Sequence, residues 1–226
     1  QKFPSPCFVN RVENQNLHAL DIADLTIITP AALQSEAERV AQLHREEGLS
    51  VIVVEQEQIF NEFSSGTPDA TAYRRLMKMF YDRATNEEDR PRYLLLFGDG
   101  SYDNRASMKN LHTPQCSQLL TYQSKTSIDE RESFVLEDYF GFLEEGSGQE
   151  IKTDKVCLGI GRYPVSSLQN ARLDVDKLKL YVQNIDPSPW QNNICIAADD
   201  GEEAVHTKQT DLSRETLLLK NSADTK

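Results

Sequence analysis

The sequence predicts an α/β fold with a parallel sheet covered by helices on both faces. Three observations predict it. Short apolar runs rich in β-branched and aliphatic residues recur at Leu25–Thr29, Ser50–Val54 and Tyr93–Phe97. Amphipathic segments with helical spacing separate them. The strand runs are continuously apolar rather than alternating, as expected of strands buried on both faces. Strand–helix–strand repeats of this kind pack back by right-handed crossovers.

Residues 1–24 are polar and irregular, with Pro4 and Pro6, and read as an N-terminal arm. After the first strand, Pro30 precedes a helical pattern from Ala31 to Glu47. Leu33, Ala37, Val40, Ala41 and Leu43 fall largely on one face, and Gly48 stops it. Beyond the second strand, Pro68-Asp69 opens another helix. Asp69 is placed as its N-cap, and Tyr73, Leu76, Met77 and Phe80 repeat at core spacing. Residues 99–150 come after the third strand and break the rhythm. They are polar and Ser-rich, and a connection of that length carries function or mobility. Within it, Glu137-Asp-Tyr-Phe-Gly-Phe-Leu143 alternates like a short strand or hairpin arm, and Glu144–Gly148 reads as its turn.

Lys155–Ile160 is predicted as a strand running into Gly161-Arg162-Tyr163-Pro164. Ser166 or Ser167 caps a helix that runs to about Asn184, with Leu173, Leu178, Leu180 and Val182 on its core face. Pro187 and Pro189 form a linker, which Trp190 packs down. Asn193–Ala198 is predicted as a further strand, closing in Asp199-Asp200-Gly201, and a last helix covers His206 to Leu219. The domain reading is an arm over 1–24, a first subdomain over 25–186, and a linker with the start of a second subdomain over 187–226.

At 226 residues, 38% apolar and 27% charged, the chain can bury an ordinary core. No apolar run approaches the ~20 residues of a membrane-spanning helix, and no signal peptide opens the sequence. Its first residue is Gln1, which reads as a processed chain or an excised fragment. Net charge is −12, from 36 acidic and 24 basic residues. That argues against nonspecific nucleic-acid binding, which needs a basic footprint. The acidity serves solubility, or a divalent cation held by loop carboxylates. The four cysteines, Cys7, Cys116, Cys157 and Cys195, show no CxxC spacing and so no zinc signature. Cys157 and Cys195 sit in apolar runs and read as small buried residues. Cys7 and Cys116 lie in loop-like sequence and can pair if the protein is exported.

Two strands end alike, in Phe97-Gly-Asp-Gly and Ala198-Asp-Asp-Gly. Ligands of open parallel sheets gather at the carboxyl ends of the strands, so both acidic ends can face one site. Equally, Asp and Gly simply terminate strands and cap the next element. There is no GxxxxGK[ST], and no GxGxxG after the first strand. Gly98-Asp-Gly-Ser101 is not a GxSxG elbow, so Ser101 is not read as a nucleophile. Acid pairs at strand ends hold magnesium in phosphoacceptor domains, but there usually on the first strand. His206 stands near a helix N-terminus, where the dipole disfavours its charged form, and serves either a site or a surface cap. His44 and His112 have no partner nearby in sequence.

Five phrases in one order go further: Val12-Glu-Asn-Gln-Asn-Leu-His18, Leu96-Phe-Gly-Asp-Gly-Ser-Tyr-Asp103, Glu137-Asp-Tyr-Phe-Gly141, Gly159-Ile-Gly-Arg-Tyr-Pro-Val165 and Ala198-Asp-Asp-Gly201. Over roughly residues 10–215 they resemble the gingipain family of cysteine peptidases, and within it the sortase-like signal peptidases of the type IX secretion system. The resemblance implies a caspase-like three-layer α/β sandwich of two side-by-side subdomains with a mostly parallel sheet. This chain matches the first subdomain and the start of the second. It implies that the catalytic His and Cys lie downstream of the matched residues, so these 226 residues alone are expected to be inactive.

The same resemblance places the acid that orients the catalytic His on Asp200. A carboxylate there fixes the imidazole tautomer and stabilises the imidazolium, although family members often carry the longer Glu. In the same register, the acid that reads a basic substrate side chain falls on Asp211. The family also binds calcium through loop oxygens, for which Asp99, Asp103 and Asp138 are the candidate ligands. The implied parent acts on protein substrates carrying C-terminal secretion signals. It removes those signals and helps join the cargo to a surface lipopolysaccharide, on the extracellular side of the outer membrane, beside other type IX secretion components. Two rivals stand next to this reading. One is a non-catalytic caspase-like scaffold or interaction module. The other is an acidic α/β domain that binds magnesium and phosphate through Asp199, Asp200 and a Lys.

Overall fold

The computed structural model describes residues 11–12, 14–105, 118–126, 128–129, 131–183, 193–199 and 201–223. The chain forms two compact units, Gln1–Val182 and Gln183–Lys226. The first is built on strands β1 (Leu25–Thr29), β2 (Val51–Glu55) and β3 (Tyr93–Phe97), two short paired strands β4 (Asp99–Gly100) and β5 (Gln118–Leu119), and β6 (Gly159–Tyr163). β2, β1, β3 and β6 form one parallel sheet in that order, with Leu25 opposite both Val51 and Tyr93, and Tyr93 opposite Gly159. All five residues of β1 are buried, as its continuously apolar run and its place inside the sheet require.

Period-two alternation divides the strand side chains between two cores. Leu25, Ile27, Val51 and Phe97 pack with α1 (Gln34–Glu46) and α4 (Leu168–Val182) on one face. Ile28, Val54, Leu94 and Leu96 pack with α2 (Gln56–Phe63) and α3 (Thr71–Arg83) on the other. The predicted three-layer arrangement is therefore present. All five core residues expected on α1 and its lead-in turn are buried, and the helix gives way at Gly48, whose φ of +95° lies in the left-handed region that glycine supplies at helix ends. In α3, Tyr73, Leu76, Met77 and Phe80 are fully buried. The Asp69 carboxylate accepts the Thr71 N–H at 2.8 Å, which is the expected cap.

Several expectations are corrected. Glu137–Gly141 is a 3-10 turn, not a strand or hairpin arm, because Tyr139, Phe140, Phe142 and Leu143 are all buried together and leave no exposed alternate face. The predicted strand Lys155–Ile160 begins only at Gly159. The residues before it are drawn off the sheet, with the Cys157 N–H donating to the Gly141 carbonyl at 2.8 Å. The inner face of α4 is Ala171 and Val175 with Leu178, while Leu173 and Leu180 are exposed. Val182 is half-buried.

In the second unit, residues 193–199 form no strand, and α5 (Gly201–Ala223) comes next. A strand exists through its ladder, and this run pairs with none among the described residues. Cys195 is accordingly exposed and Cys157 half-buried, so neither is the buried core residue that its apolar neighbours suggest. Cys7, Cys116, His112, Pro187, Pro189, Trp190 and Asp200 lie outside the described residues. Among the described residues, no helix is long and apolar enough to cross a membrane.

Candidate functional site at the carboxyl edge of the sheet

The strand order puts a topological switch between β1 and β3. The chain leaves β1 for β2 by way of α1 on one face, and reaches β3 by way of α2 and α3 on the other. In open α/β sheets, the crevice at that point is where ligands bind. Here it lies between Thr29 and Gly98, and the protein fills it with its own polar groups. The buried Thr29 hydroxyl bonds the Phe97 carbonyl at 3.1 Å. The Gly98 and Asp99 N–H groups donate to the Tyr163 and Val165 carbonyls at 3.0 and 3.1 Å.

Arg162, on β6, is the centre of this edge. Its guanidinium holds the Glu137 carboxylate through Nε at 2.8 Å and Nη2 at 3.1 Å, a forked pair. Nη1 also donates to the Gly98 and Asp99 carbonyls, and Nη2 to the Leu120 carbonyl, at 3.1, 3.3 and 3.3 Å. The side chain is only 12% exposed. Gly100 makes room for it: a Cβ there would stand 2.8 Å from Thr121 Cγ2 and 3.3 Å from Arg162 Cζ. Asn104 and Thr121 complete the brace. Asn104 Nδ2 donates to the Thr121 carbonyl, the Thr121 N–H donates to Asn104 Oδ1, and the Thr121 hydroxyl bonds the Ser101 carbonyl at 2.7 Å.

A second chain of bonds runs into the core. The Gln56 amide donates to the Gln118 carbonyl at 3.0 Å, and the Tyr73 hydroxyl donates to Gln56 Oε1 at 2.7 Å. The Leu120 N–H donates to the same hydroxyl at 3.2 Å. Burial pushes the Tyr73 phenol far above its ordinary range, so it remains a neutral donor. At the start of α2, desolvation by the surrounding chain and then the neighbouring Glu55 carboxylate push Glu57 up. With its guanidinium committed to a carboxylate and three carbonyls, Arg162 braces this edge rather than presenting a cation to a ligand. Gly98-Asp-Gly-Ser101 turns a corner around it.

Of the predicted site residues, Asp99, Asp103, Asp138 and Asp211 are among the described residues and Asp200 is not. Asp99 lies in β4, and its carboxylate accepts the Gly100 N–H at 2.9 Å. The Asp103 N–H donates to the Ser101 hydroxyl at 3.0 Å, and Asp138 stands in the first turn of the 3-10 segment. Among the described residues, no group of three or more His, Cys, Asp or Glu side chains is placed to hold a metal ion. Asp211 is exposed on α5. Within the second unit, Asp199, His206, Gln209, Thr210 and Ser213 line an open concavity of about 630 Å³ with Ile194 and Ile196. The Thr207 hydroxyl donates to the Asp199 carbonyl at 2.8 Å. Cys157 Sγ meets the Lys155 carbonyl at 3.8 Å and the Tyr81 hydroxyl.

Sequence reasoning singled out neither Arg162 nor Glu137 as a pair. The available signal was a lone guanidinium in the Gly-Ile-Gly-Arg-Tyr strand of a buried sheet, which must find partners.

Comparison with known proteins fits this geometry. The model of Peptidase family C25 matches residues 18–225. A crystal structure of dimeric latent PorU from Porphyromonas gingivalis is similar, with a TM-score of 0.70 and 42% sequence identity over 85% of this chain. The chain spans 19% of the length of that PorU chain. No curated protein matches. The caspase-like gingipain fold is common to both structures, and the 226 residues belong to Peptidase family C25.

Proposed function

We propose that these residues are the N-terminal part of the catalytic domain of a PorU-like cysteine endopeptidase of sortase type. The supporting observation is the 42% identity to PorU across 85% of the chain. In this reading the first unit is a scaffold that braces the carboxyl edge through Arg162. The parent removes C-terminal signals from type IX secretion cargo and helps attach it to the cell surface, on the extracellular side of the outer membrane. Asp200 orients the catalytic His, and Asp211 reads a basic substrate side chain. The nucleophile and base come from elsewhere in the parent, so the 226 residues alone do not cleave.

The test is thiol-dependent cleavage of a signal-bearing cargo by the complete polypeptide. Asp200→Asn is expected to lower kcat about a hundredfold or more with little change in KM, because the carboxylate acts on the imidazole and not on the substrate. Cleavage by the 226 residues alone, or full activity of Asp200→Asn, refutes these assignments. Calcium at Asp99, Asp103 and Asp138 belongs to the same proposal. Since the three carboxylates do not gather, carbonyl and water oxygens would complete the coordination. Melting curves with and without a chelator decide it: identical curves remove calcium.

A further inference from the structure

Residues 14–20 lead the chain toward β1 through a 3-10 turn, Leu17–Ala19. Leu17 is the one buried side chain in that stretch. N–H groups at the start of such a turn lack a local acceptor. Asn16 stands in the capping position but makes no side-chain bond there. The acceptor comes instead from α2, within the same unit. Glu62 Oε1 accepts the Leu17 N–H at 2.7 Å and the Gln15 amide at 2.8 Å. Glu62 Oε2 accepts the His18 N–H at 3.3 Å and meets His18 Nδ1 at 2.6 Å. The His18 ring stacks on Phe63, with centroids 4.7 Å apart. The other ties are the Gln15 amide to the Gln58 carbonyl, the Asn61 amide to Gln15 Oε1, and Arg83 to the His18 carbonyl.

We propose that Glu62 is a releasable clasp: loss of its charge detaches residues 14–20 from α2 and uncovers Phe63 and the seat of Leu17, while the four-stranded sheet stays folded. A carboxylate is an acceptor only, and here it serves four donors at once. Its protonated form carries a donor of its own and turns that donor on the groups it held. The charged groups that reach this cluster are His18 on the arm, and Arg75 and Arg83 on α3. The two arginines donate to the Phe63 and His18 carbonyls at 2.6 and 2.7 Å. Burial alone would raise the Glu62 carboxyl, but the bonds from Leu17, Gln15 and His18 outweigh it and hold it low. The clasp is therefore fully closed above the ordinary carboxyl value of about 4 and opens as pH falls below it. A segment with one buried side chain belongs to the least stable part of a fold, so it can open before the sheet does.

The experiment is amide hydrogen exchange on the 226-residue chain at pH 7, with and without Glu62→Gln. The substitution is expected to lower protection of the Leu17 and His18 amides about tenfold or more, and to leave the amides of β1 and β3 within about twofold. Unchanged protection at Leu17 and His18 overturns the proposal. So does an equal loss in β1 and β3, which would make the carboxylate a support of the whole unit. An acid titration of the unsubstituted chain tests the same point without a variant. The Leu17 and His18 amide resonances should shift together with a midpoint below about pH 4, ahead of any change in β1 and β3. Movement of all of them in one step refutes the clasp. No readout depends on cleavage, so the proposal stands or falls apart from the peptidase reading.

Discussion

Arg162 shows what single residues decide here. Five hydrogen bonds converge on a guanidinium that is largely buried, and its acceptors lie on other strands or in the long connection. Arg162→Gln would leave the Glu137 carboxylate and three carbonyls short of donors, at a cost of about 3 kcal/mol, read by denaturant titration. The opposite case is Thr26. Its hydroxyl is fully buried on β1 and has no partner among the described residues. Thr26→Val is expected to stabilise the protein by about 1 kcal/mol, and a loss would reveal a bound water that the hydroxyl satisfies.

Glu62 sets an acid dependence. Burial raises its carboxyl pKa, but hydrogen bonds from the Leu17 N–H, Gln15 and His18 together outweigh that and hold it below the ordinary value. Asp24 is lowered by its bonds from the Ser50 hydroxyl and N–H. Groups depressed in the folded state contribute stability above their unfolded pKa, about 4 for these carboxyls, and lose it as pH falls through the folded value. The melting temperature is therefore expected to be flat above about pH 5 on their account and to fall below about pH 4. Glu62→Gln should shallow that fall.

At the scale of elements, legibility tracked how local the cause was. The cap of α3 was readable because Asp69 acts on the N–H two residues on, and Asp69→Ala should cost about 1 kcal/mol by thermal melting. The core faces of α1 and α3 were readable because their apolar residues sit at helical spacing. Helix α2 was missed: it starts directly after β2 and has only eight residues, too few for its Ile59 and Phe60 to set a period. The outer leucines of α4 passed for its core face because leucine outweighs alanine in a hydrophobic pattern. The true contact uses Ala171, whose small side chain leaves room for α1. There, ion pairs from Arg39 to Asp176 and from Arg172 to Glu36 flank the packing. The run 193–198 has strand composition, but composition cannot supply a neighbour to pair with.

For the whole molecule, the parallel sheet and its two helical layers were legible because buried strands and amphipathic crossovers leave strong patterns. The site was not legible in the same way. Its brace is made largely of side chains bonding main-chain carbonyls far away in sequence, as Arg162 does to Gly98 and Leu120. Any residue type offers a carbonyl, so such contacts leave no trace in sequence.

The strand order also has a consequence in time. β1, β2 and β3 are complete by Phe97, whereas β6, which pairs with the other side of β3, begins at Gly159. A ribosome adding about 5–20 residues per second would deliver the last strand on the order of several seconds after the other three. During that interval the β3 edge, with Leu94 and Leu96 behind it, stands open to any other extended segment. The passage from Gly98 to Leu158 is thus a delay in assembly, and crowding nascent chains together should trap misfolded protein at this edge before any other.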